Sequence, residues 1–107
     1  MQTPESGILD TICEYLALKK HAFWRMNNMP AVFHKDGEMH FRKMPKYARR
    51  GVPDIIVIND GWFVGLEVKA KGKYQSPDQK DFENMVLGAG GEYYVVRSID
   101  DVKEIGL

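Results

Sequence analysis

Two carboxylates of this sequence are placed to face each other across a predicted β-hairpin. The runs 54–59 and 62–69 are rich in β-branched and aromatic residues, and Asp60-Gly61 between them is the pair favoured in a two-residue type I′ turn. Residues equally distant from that turn pair across the hairpin, so Asp54 faces Glu67. Directly opposed side chains have Cβ atoms about 4.5–5.5 Å apart. The two carboxylates therefore repel each other unless one is protonated, a lysine neutralises one, or a divalent cation bridges both.

Lys69 brings a cationic group to the same end of the hairpin. Because side chains alternate along a strand, Lys69 shares the face of Asp54 and Glu67 and lies about 6.5–7 Å beyond Glu67. Two carboxylates with retained waters suit Mg²⁺ or Mn²⁺. Such a site, with a lysine that orients or deprotonates a water, can hydrolyse a phosphodiester. The alternative for Glu67-Val68-Lys69 alone is a solvated strand face with a surface ion pair.

The other elements must hold this hairpin in place. Alternation predicts that one hairpin face is apolar and buried, with side chains of Ile55, Val57, Val64, Leu66 and Val68. Apolar spacing and helix caps predict helices at Glu5 to Lys19, from Ser76-Pro77-Asp78-Gln79 to the glycines at 88–91, and at Ile99 to Ile105. Further strands are predicted at His21 to Arg25, Ala31 to Phe33, Met39 to Phe41 and Glu92 to Arg97, with turns at Asn27-Asn28 and Asp36-Gly37.

Length and composition predict a single soluble domain over residues 1–107. Hydrophobic residues make up 44% of the chain and charged residues 28%, which is typical of a folded globular protein. No apolar run approaches the roughly 18 residues that span a bilayer, and residues 1–7 lack the pattern of a signal peptide. We therefore expect an intracellular protein that does not enter a membrane. The single Cys13 and the three histidines predict neither a disulfide nor a zinc site.

The net charge is zero, but the charge is unevenly distributed. Residues 41–73 carry eight Lys and Arg against three acids, a balance of +5, whereas residues 74–107 carry three bases against seven acids, a balance of −4. Much of the positive charge lies in Lys43 to Arg50, which Pro45 and the lack of a period mark as an exposed loop. A basic segment of this kind suits a polyanion such as nucleic acid, and a solvated surface loop is the alternative.

Several motifs together resemble a known family. Pro53-Asp54 followed by Glu67-Val68-Lys69 is similar to the signature of the PD-(D/E)XK nuclease superfamily. Glu14, the Gly51-Val52-Pro53-Asp54 segment and the Ser76-Pro77-Asp78-Gln79 helix start resemble, more narrowly, the small stand-alone VRR-NUC proteins of viruses and bacteria. The resemblance covers nearly the whole chain. It implies an α/β fold with a restriction-endonuclease-like core, in which helices flank a mixed β-sheet in α-β-β-β-α-β order. It also implies a protein that works in the cytoplasm of a bacterium or of a virus-infected host cell.

The resemblance also implies a site. It assigns Asp54 and Glu67 as ligands of Mg²⁺ or Mn²⁺, the backbone carbonyl of Val68 as a further ligand, and Lys69 as the catalytic lysine. Glu14 matches a helix-borne acid that completes the metal shell, although an acid on the polar side of a helix is ordinarily solvated.

Gln79 and Lys71 each have two possible roles. In a capping box with Ser76, the Gln79 side chain satisfies a backbone donor. Yet Gln79, Phe82 and Val86 share the helix face that packs on the sheet, so Gln79 could also reach the catalytic site. Lys71 shares the face of Lys69 if the strand continues, and the family spacing favours Lys69 as the catalytic residue.

The functional hypothesis is a metal-dependent endonuclease that hydrolyses branched DNA, four-way (Holliday) junctions above all, as a homodimer. The expected DNA-backbone contacts are Arg42, Lys43, Lys46, Arg49, Arg50, Lys71 and Lys73. Tyr47 and Tyr74 are candidates either for packing on DNA near the branch or for local packing, and His34 and His40 are expected to be ordinary surface histidines. The competing hypothesis is a non-catalytic nucleic-acid-binding protein that keeps the nuclease fold. An intact set of Glu14, Asp54, Glu67 and Lys69 favours the enzyme.

Overall fold

The computed structural model describes residues 3–26 and 32–107 of the chain. These residues form α1 (Pro4–Leu18), β1 (Ala22–Arg25), β2 (Val32–Lys35), β3 (Glu38–Phe41), β4 (Ile55–Asn59), β5 (Trp62–Val68), α2 (Pro77–Gly88), β6 (Glu92–Val96) and α3 (Ile99–Glu104). The turn expected at Asn27-Asn28 and the first residue expected in the strand from Ala31 lie outside the described residues. Within the described ranges, no helix is long and apolar enough to cross a bilayer.

Four strands form a mixed sheet in the order β1-β4-β5-β6, antiparallel except for the parallel pair β5 and β6. The β4–β5 hairpin has the predicted register, with Asn59 opposite Trp62. Asp60 and Gly61 have φ angles of 51° and 83°, as a type I′ turn requires. The elements of this sheet and its first two helices follow the predicted α-β-β-β-α-β order, and α3 comes after them. The predicted α/β class with helices flanking a mixed sheet is confirmed.

Helices α1 and α3 cover the apolar face of the sheet. The hairpin side chains predicted to face the core lie there, packed in one cluster with Ile12 and Leu16 of α1 and with Val102 of α3. Thr3 begins α1 as an N-cap whose side chain accepts a hydrogen bond from the backbone nitrogen of Ser6. Burying this face fixes the hairpin's rotation, and its charged residues must then lie on the opposite face.

Helix α2 lies on that opposite face and packs beside β6. Its Phe82 ring lies 6.5 Å from the ring of Tyr93, measured between centroids. Gly65 of β5 makes room here, because a Cβ atom at this position would lie 2.9 Å from Cγ of Pro53 and 3.3 Å from Cδ2 of Tyr93. Because residue 65 has no side chain, Pro53 and the ring of Tyr93 can both pack against the sheet at this point.

Strands β2 and β3 form a separate two-stranded sheet. Asp36 and Gly37 join them with φ angles of 54° and 79°, which confirms the predicted turn. The strands run to Lys35 and from Glu38, closer to the turn than the short apolar runs indicated. Residues 42–53 then return the chain to the main sheet.

Gly51 holds this returning segment against the start of α2. Its φ angle is 76°, and an added Cβ atom would overlap the carbonyl group of Asp78 and lie 2.7 Å from the backbone nitrogen of Gln79. Both the backbone conformation and the close approach require glycine. Since Gly51 stands only three residues before Asp54, this contact helps to set where the hairpin begins.

Replacing Gly51 by alanine should therefore lower the free energy of unfolding by about 2 kcal/mol or more, because a left-handed conformation and a backbone overlap are both penalised. Gly72→Ala is the matched control, since Gly72 has a φ of 79° with no atom within 4 Å of its added Cβ. The control should lose only the conformational part, about 1 kcal/mol. Urea denaturation of both variants measures the difference, and equal losses would contradict the contact with α2.

Candidate active site

Asp54 lies immediately before β4, at the open end of the hairpin. Its Oδ2 accepts a hydrogen bond of 2.8 Å from the backbone nitrogen of Val68 on β5. This bond crosses from one arm of the hairpin to the other, beyond the last paired residues Ile55 and Leu66. It holds the Asp54 carboxylate beside Glu67, as the predicted pairing requires.

Glu67 is the buried carboxylate of the site. It is only 2% exposed, the only charged residue buried to this degree in the described part of the chain. Burial, and after it the negative charge of Asp54, raise the pKa of Glu67 from its ordinary value near 4.5 to about 8, although Lys69 acts in the opposite direction. The protonated form is therefore favoured near neutral pH unless another cation compensates the two carboxylates.

Lys69 comes directly after β5, and its side chain lies on the side of Glu67, as predicted. Its Nζ lies 3.8 Å from Oε1 of Glu67, and the side chain is 13% exposed. The backbone nitrogen of Lys69 donates to the carbonyl of Val96, which fixes the chain at the end of β5. A shielded ammonium group thus stands next to the carboxylate pair, although it does not fully offset their charge, since the pKa of Glu67 remains raised.

Gln79 has both of the roles that the sequence suggested. Its Oε1 accepts a hydrogen bond of 2.8 Å from the backbone nitrogen of Ser76, completing the capping box that begins α2. Its Nε2 donates a hydrogen bond of 2.8 Å to Oε1 of Glu67. The two ends of one amide group therefore tie the start of α2 to the buried carboxylate, and the amide orientation is fixed by its two partners.

Tyr93 belongs to the site, although no sequence motif pointed to it. Its hydroxyl lies 3.5 Å from Oε2 of Glu67, at the limit of a hydrogen bond. Burial and the charge of Glu67 raise the pKa of Tyr93, so it stays a neutral donor. Gln75 and Glu83 lie next to it, joined by a 3.2 Å hydrogen bond. Tyr93 faces this side because it pairs with Gly65 in the parallel register of β5 and β6.

Glu14 lies on an exposed position of α1. Among the described residues, no group of three or more His, Cys, Asp and Glu side chains is arranged to hold a metal ion. The structure thus brings Asp54, Glu67, Lys69 and Gln79 together and does not add Glu14 to them, so its predicted role stays a prediction. Cys13, its neighbour in the sequence, has a pKa raised mainly by burial, and the charge of Asp54 contributes.

The donor set suits a hard divalent cation. Two carboxylates are held side by side, and the pKa of the buried one is raised by its burial and by the charge of the other. This is the electrostatic condition that a bound cation relieves, and carboxylate oxygens are the ligands preferred by Mg²⁺ and Mn²⁺. A pair of protein carboxylates leaves most coordination positions to waters and to a substrate phosphate, which is how Mg²⁺ is usually bound.

The predicted DNA contacts lie in the segment between β3 and β4 and in the turn after β5. Arg42 stacks on the Phe33 ring with Cζ 4.3 Å from the centroid, and Nζ of Lys46 lies 5.3 Å from the Tyr47 ring centroid. Strand β5 ends at Val68, so Lys71 lies in an exposed turn, not on the strand face of Lys69. The remaining exposed members of this predicted set are Lys43, Arg49, Arg50 and Lys73.

Solved structures of similar shape identify the fold. One, described as "VRR_NUC domain", superposes with a TM-score of 0.65 at 21% sequence identity, covering 96% of this chain and 94% of the other. Another, described as "VRR_NUC domain protein", gives a TM-score of 0.60 at 17% identity, covering 98% and 86%. The chain has the VRR_NUC fold. No protein-family model matches the sequence, and no curated protein matches it. The VRR_NUC fold expected from the sequence motifs is confirmed by structure alone.

Within the VRR_NUC fold, the raised pKa of Glu67 predicts how stability depends on pH. Between about 4.5 and 8 the folded protein keeps a proton on Glu67 that the unfolded chain releases. The free energy of unfolding of the metal-free protein should therefore fall by about 1.4 kcal/mol for each unit of rising pH in this window, and the decrease should end above the folded pKa.

Urea denaturation in chelator at a series of pH values measures this slope. Glu67→Gln is the control, because an amide of the same shape cannot titrate and should remove this contribution. A Glu67→Gln protein with an unchanged slope would contradict the assignment of the proton to Glu67.

Proposed function

We propose that this chain is a metal-dependent, structure-specific DNA endonuclease and that residues 1–107 form one nuclease domain. The observation that carries the proposal is the buried Glu67 carboxylate, held against Asp54 at the mouth of the hairpin with Lys69 beside it. Burying a carboxyl group beside a second carboxylate is costly, and a protein that only binds DNA has no need of it. The VRR_NUC fold supports the nuclease class over a binding module.

The ligands of Mg²⁺ or Mn²⁺ would be the carboxylates of Asp54 and Glu67, with the carbonyl of Val68 and, in our proposal, Glu14. The bound ion supplies Lewis-acid stabilisation of the charge that develops on the phosphate oxygens. The chain's own groups do the rest. The bond from Val68 orients Asp54, and Gln79 orients Glu67.

Lys69 is the group placed to act on the attacking water. Its ammonium group can hold a water by a hydrogen bond and lowers the cost of negative charge near the phosphorus atom. Its contact with Glu67 limits the directions in which the lysine can point, and its low exposure keeps bulk water from screening its charge. In this proposal, the short segment Glu67-Val68-Lys69 supplies metal ligands as well as the group that acts on the water.

Branched DNA, with four-way junctions first, is the proposed substrate, and a homodimer is the proposed assembly. The excess positive charge of residues 41–73 supports contacts with DNA backbone, which position a duplex without reading its sequence. A dimer would place two sites at a fixed separation, so that geometry selects the branch. A small domain also gains stability from an added interface.

The direct test is cleavage of a labelled four-way junction, a flap and a plain duplex, with Mn²⁺ or with chelator. We expect metal-dependent cleavage of the branched substrates. Glu67→Ala and Lys69→Ala should each lower the cleavage rate by at least about 100-fold, because charge stabilisation and water activation of this kind contribute that much. Both variants should still bind the junction in chelator.

Lys103→Ala is the matched control for Lys69→Ala, because it removes the same charge from an exposed position on α3. Its cleavage rate should equal that of the wild type. Absence of cleavage by the wild type on every substrate, with binding retained, would favour the non-catalytic nucleic-acid-binding protein. Loss of binding together with cleavage in Lys69→Ala would indicate a folding defect.

The basic loop gives a separate prediction. Arg49→Ala combined with Arg50→Ala should weaken junction binding and lower the slope of log affinity against log salt by about two, since each lost phosphate contact removes roughly one released counterion. Fluorescence anisotropy in chelator over a range of salt concentrations measures the slope. An unchanged slope would show that these arginines do not contact phosphates.

A further inference from the structure

A groove beside the active site is formed by the basic loop and the first turns of α2. Its volume is about 490 Å³, within the range of roughly 300–1,000 Å³ that is usual for small-molecule sites. Side chains of both signs and two aromatic rings line it: Tyr47, Arg49, Arg50, Asp78, Asp81 and Phe82. The proposed reaction uses neither the two aspartates nor the two aromatic rings of this groove.

Tyr47 is the unusual residue of this groove. It is 88% exposed, and its φ angle of 70° places it in the left-handed region, where a bulky non-glycine residue is rare. Backbone strain at such a position persists where the surrounding structure or a function maintains it. Burial of the ring does not compensate this strain, because the ring is exposed to solvent, with Nζ of Lys46 5.3 Å from its centroid.

The charges of the groove do not match a bare phosphate. Arg49 and Arg50 attract a phosphate, but Asp78 and Asp81 line the same space and repel it. A nucleotide satisfies both signs at once, since its phosphate is an anion and the exocyclic amino group of cytosine or adenine donates to a carboxylate. An exposed tyrosine ring adds a surface on which a base can stack.

The groove is directly connected to the active site through α2. Asp78 and Gln79 are neighbours in the first turn of that helix, and Gln79 donates to Glu67. Phe82, on the same helix, lines the groove and lies against Tyr93 of the site. A nucleotide in the groove would therefore belong to the strand that passes the carboxylate pair.

We propose that this groove binds one unpaired nucleotide of the DNA substrate, next to the phosphodiester that is cut, by stacking its base on Tyr47 and accepting from its amino group at Asp78 or Asp81. The inference rests on the proposed nuclease function and specifies its substrate. In a paired duplex the base faces are stacked on neighbouring bases and cannot stack on Tyr47, so the groove selects branches that carry unpaired nucleotides.

The test is binding in chelator, which separates recognition from cleavage. The probes are a labelled duplex with a single-stranded oligo-dC tail, the same duplex with an oligo-dT tail, and the blunt duplex, each followed by fluorescence anisotropy. We expect the oligo-dC tail to bind most tightly. Tyr47→Ala should weaken binding to the tailed duplex by about tenfold and leave the blunt duplex unchanged, since base stacking on an aromatic ring is worth about 1–3 kcal/mol.

Matched variants identify the cause of each effect. Tyr47→Trp should retain the preference for the tail, because it keeps a stacking ring. Trp62→Ala removes an exposed aromatic ring from the far end of β5 and should change neither affinity. Asp78→Ala combined with Asp81→Ala should remove the preference for oligo-dC over oligo-dT, since alanine has no acceptor and thymine has no exocyclic amino group. Circular dichroism of each variant confirms that it is folded.

Two results would overturn the inference: equal affinity of the wild type for tailed and blunt duplexes, or a Tyr47→Ala variant with the wild-type preference. Equal affinity for the dC and dT tails would overturn the role of the aspartates. Cleavage of branched DNA without any preference for a tail would leave the nuclease function intact while refuting the groove. Tail binding through Tyr47 without cleavage would support the groove and refute the nuclease function.

Discussion

The carboxylate pair of Asp54 and Glu67 is the constraint on which the site depends. Two acidic groups are brought together at the open end of a hairpin, and one of them is almost completely buried. Water cannot screen their repulsion there, and Lys69 compensates it only in part. The protein keeps the arrangement through three fixed hydrogen-bonding partners: the Val68 backbone, the Gln79 amide and, more weakly, the Tyr93 hydroxyl. This arrangement raises the pKa of Glu67, and a bound divalent cation would relieve it, as the proposed function requires.

The rest of the fold explains how that arrangement is held. Helices α1 and α3 bury one face of the hairpin, which forces the acids onto the other face. Helix α2 closes that face, and two glycines allow the close approaches involved. Gly65 admits Pro53 and Tyr93 to the sheet, and Gly51 lets the basic loop touch the start of α2. The first turn of α2, which orients Glu67, also lines the groove beside the loop, so the carboxylate pair and the groove depend on the same helix.

The features that could be predicted from the sequence are those set by short-range motifs such as turns and helix caps. The Asp60-Gly61 turn sets the hairpin register within a few residues, and the Ser76 capping box sets the start of α2, so the places of Asp54, Glu67 and Gln79 could be predicted. Tyr93 could not, because its position depends on the register of the parallel strands β5 and β6, which are joined only through α2. The groove could not be predicted either, because the loop and the helix that form it meet through the non-local contact of Gly51. The place of Glu14 near the metal depends on the rotation of α1, and it remains a prediction.

A crystal structure grown with Mn²⁺ tests the central claim most directly, because anomalous scattering locates the ion without assumptions about its ligands. The account predicts a manganese peak between the carboxylates of Asp54 and Glu67, coordinated by oxygen atoms of both, and no such peak in Glu67→Ala crystals. Manganese bound elsewhere, or a carboxylate pair that stays empty at saturating Mn²⁺, would contradict it.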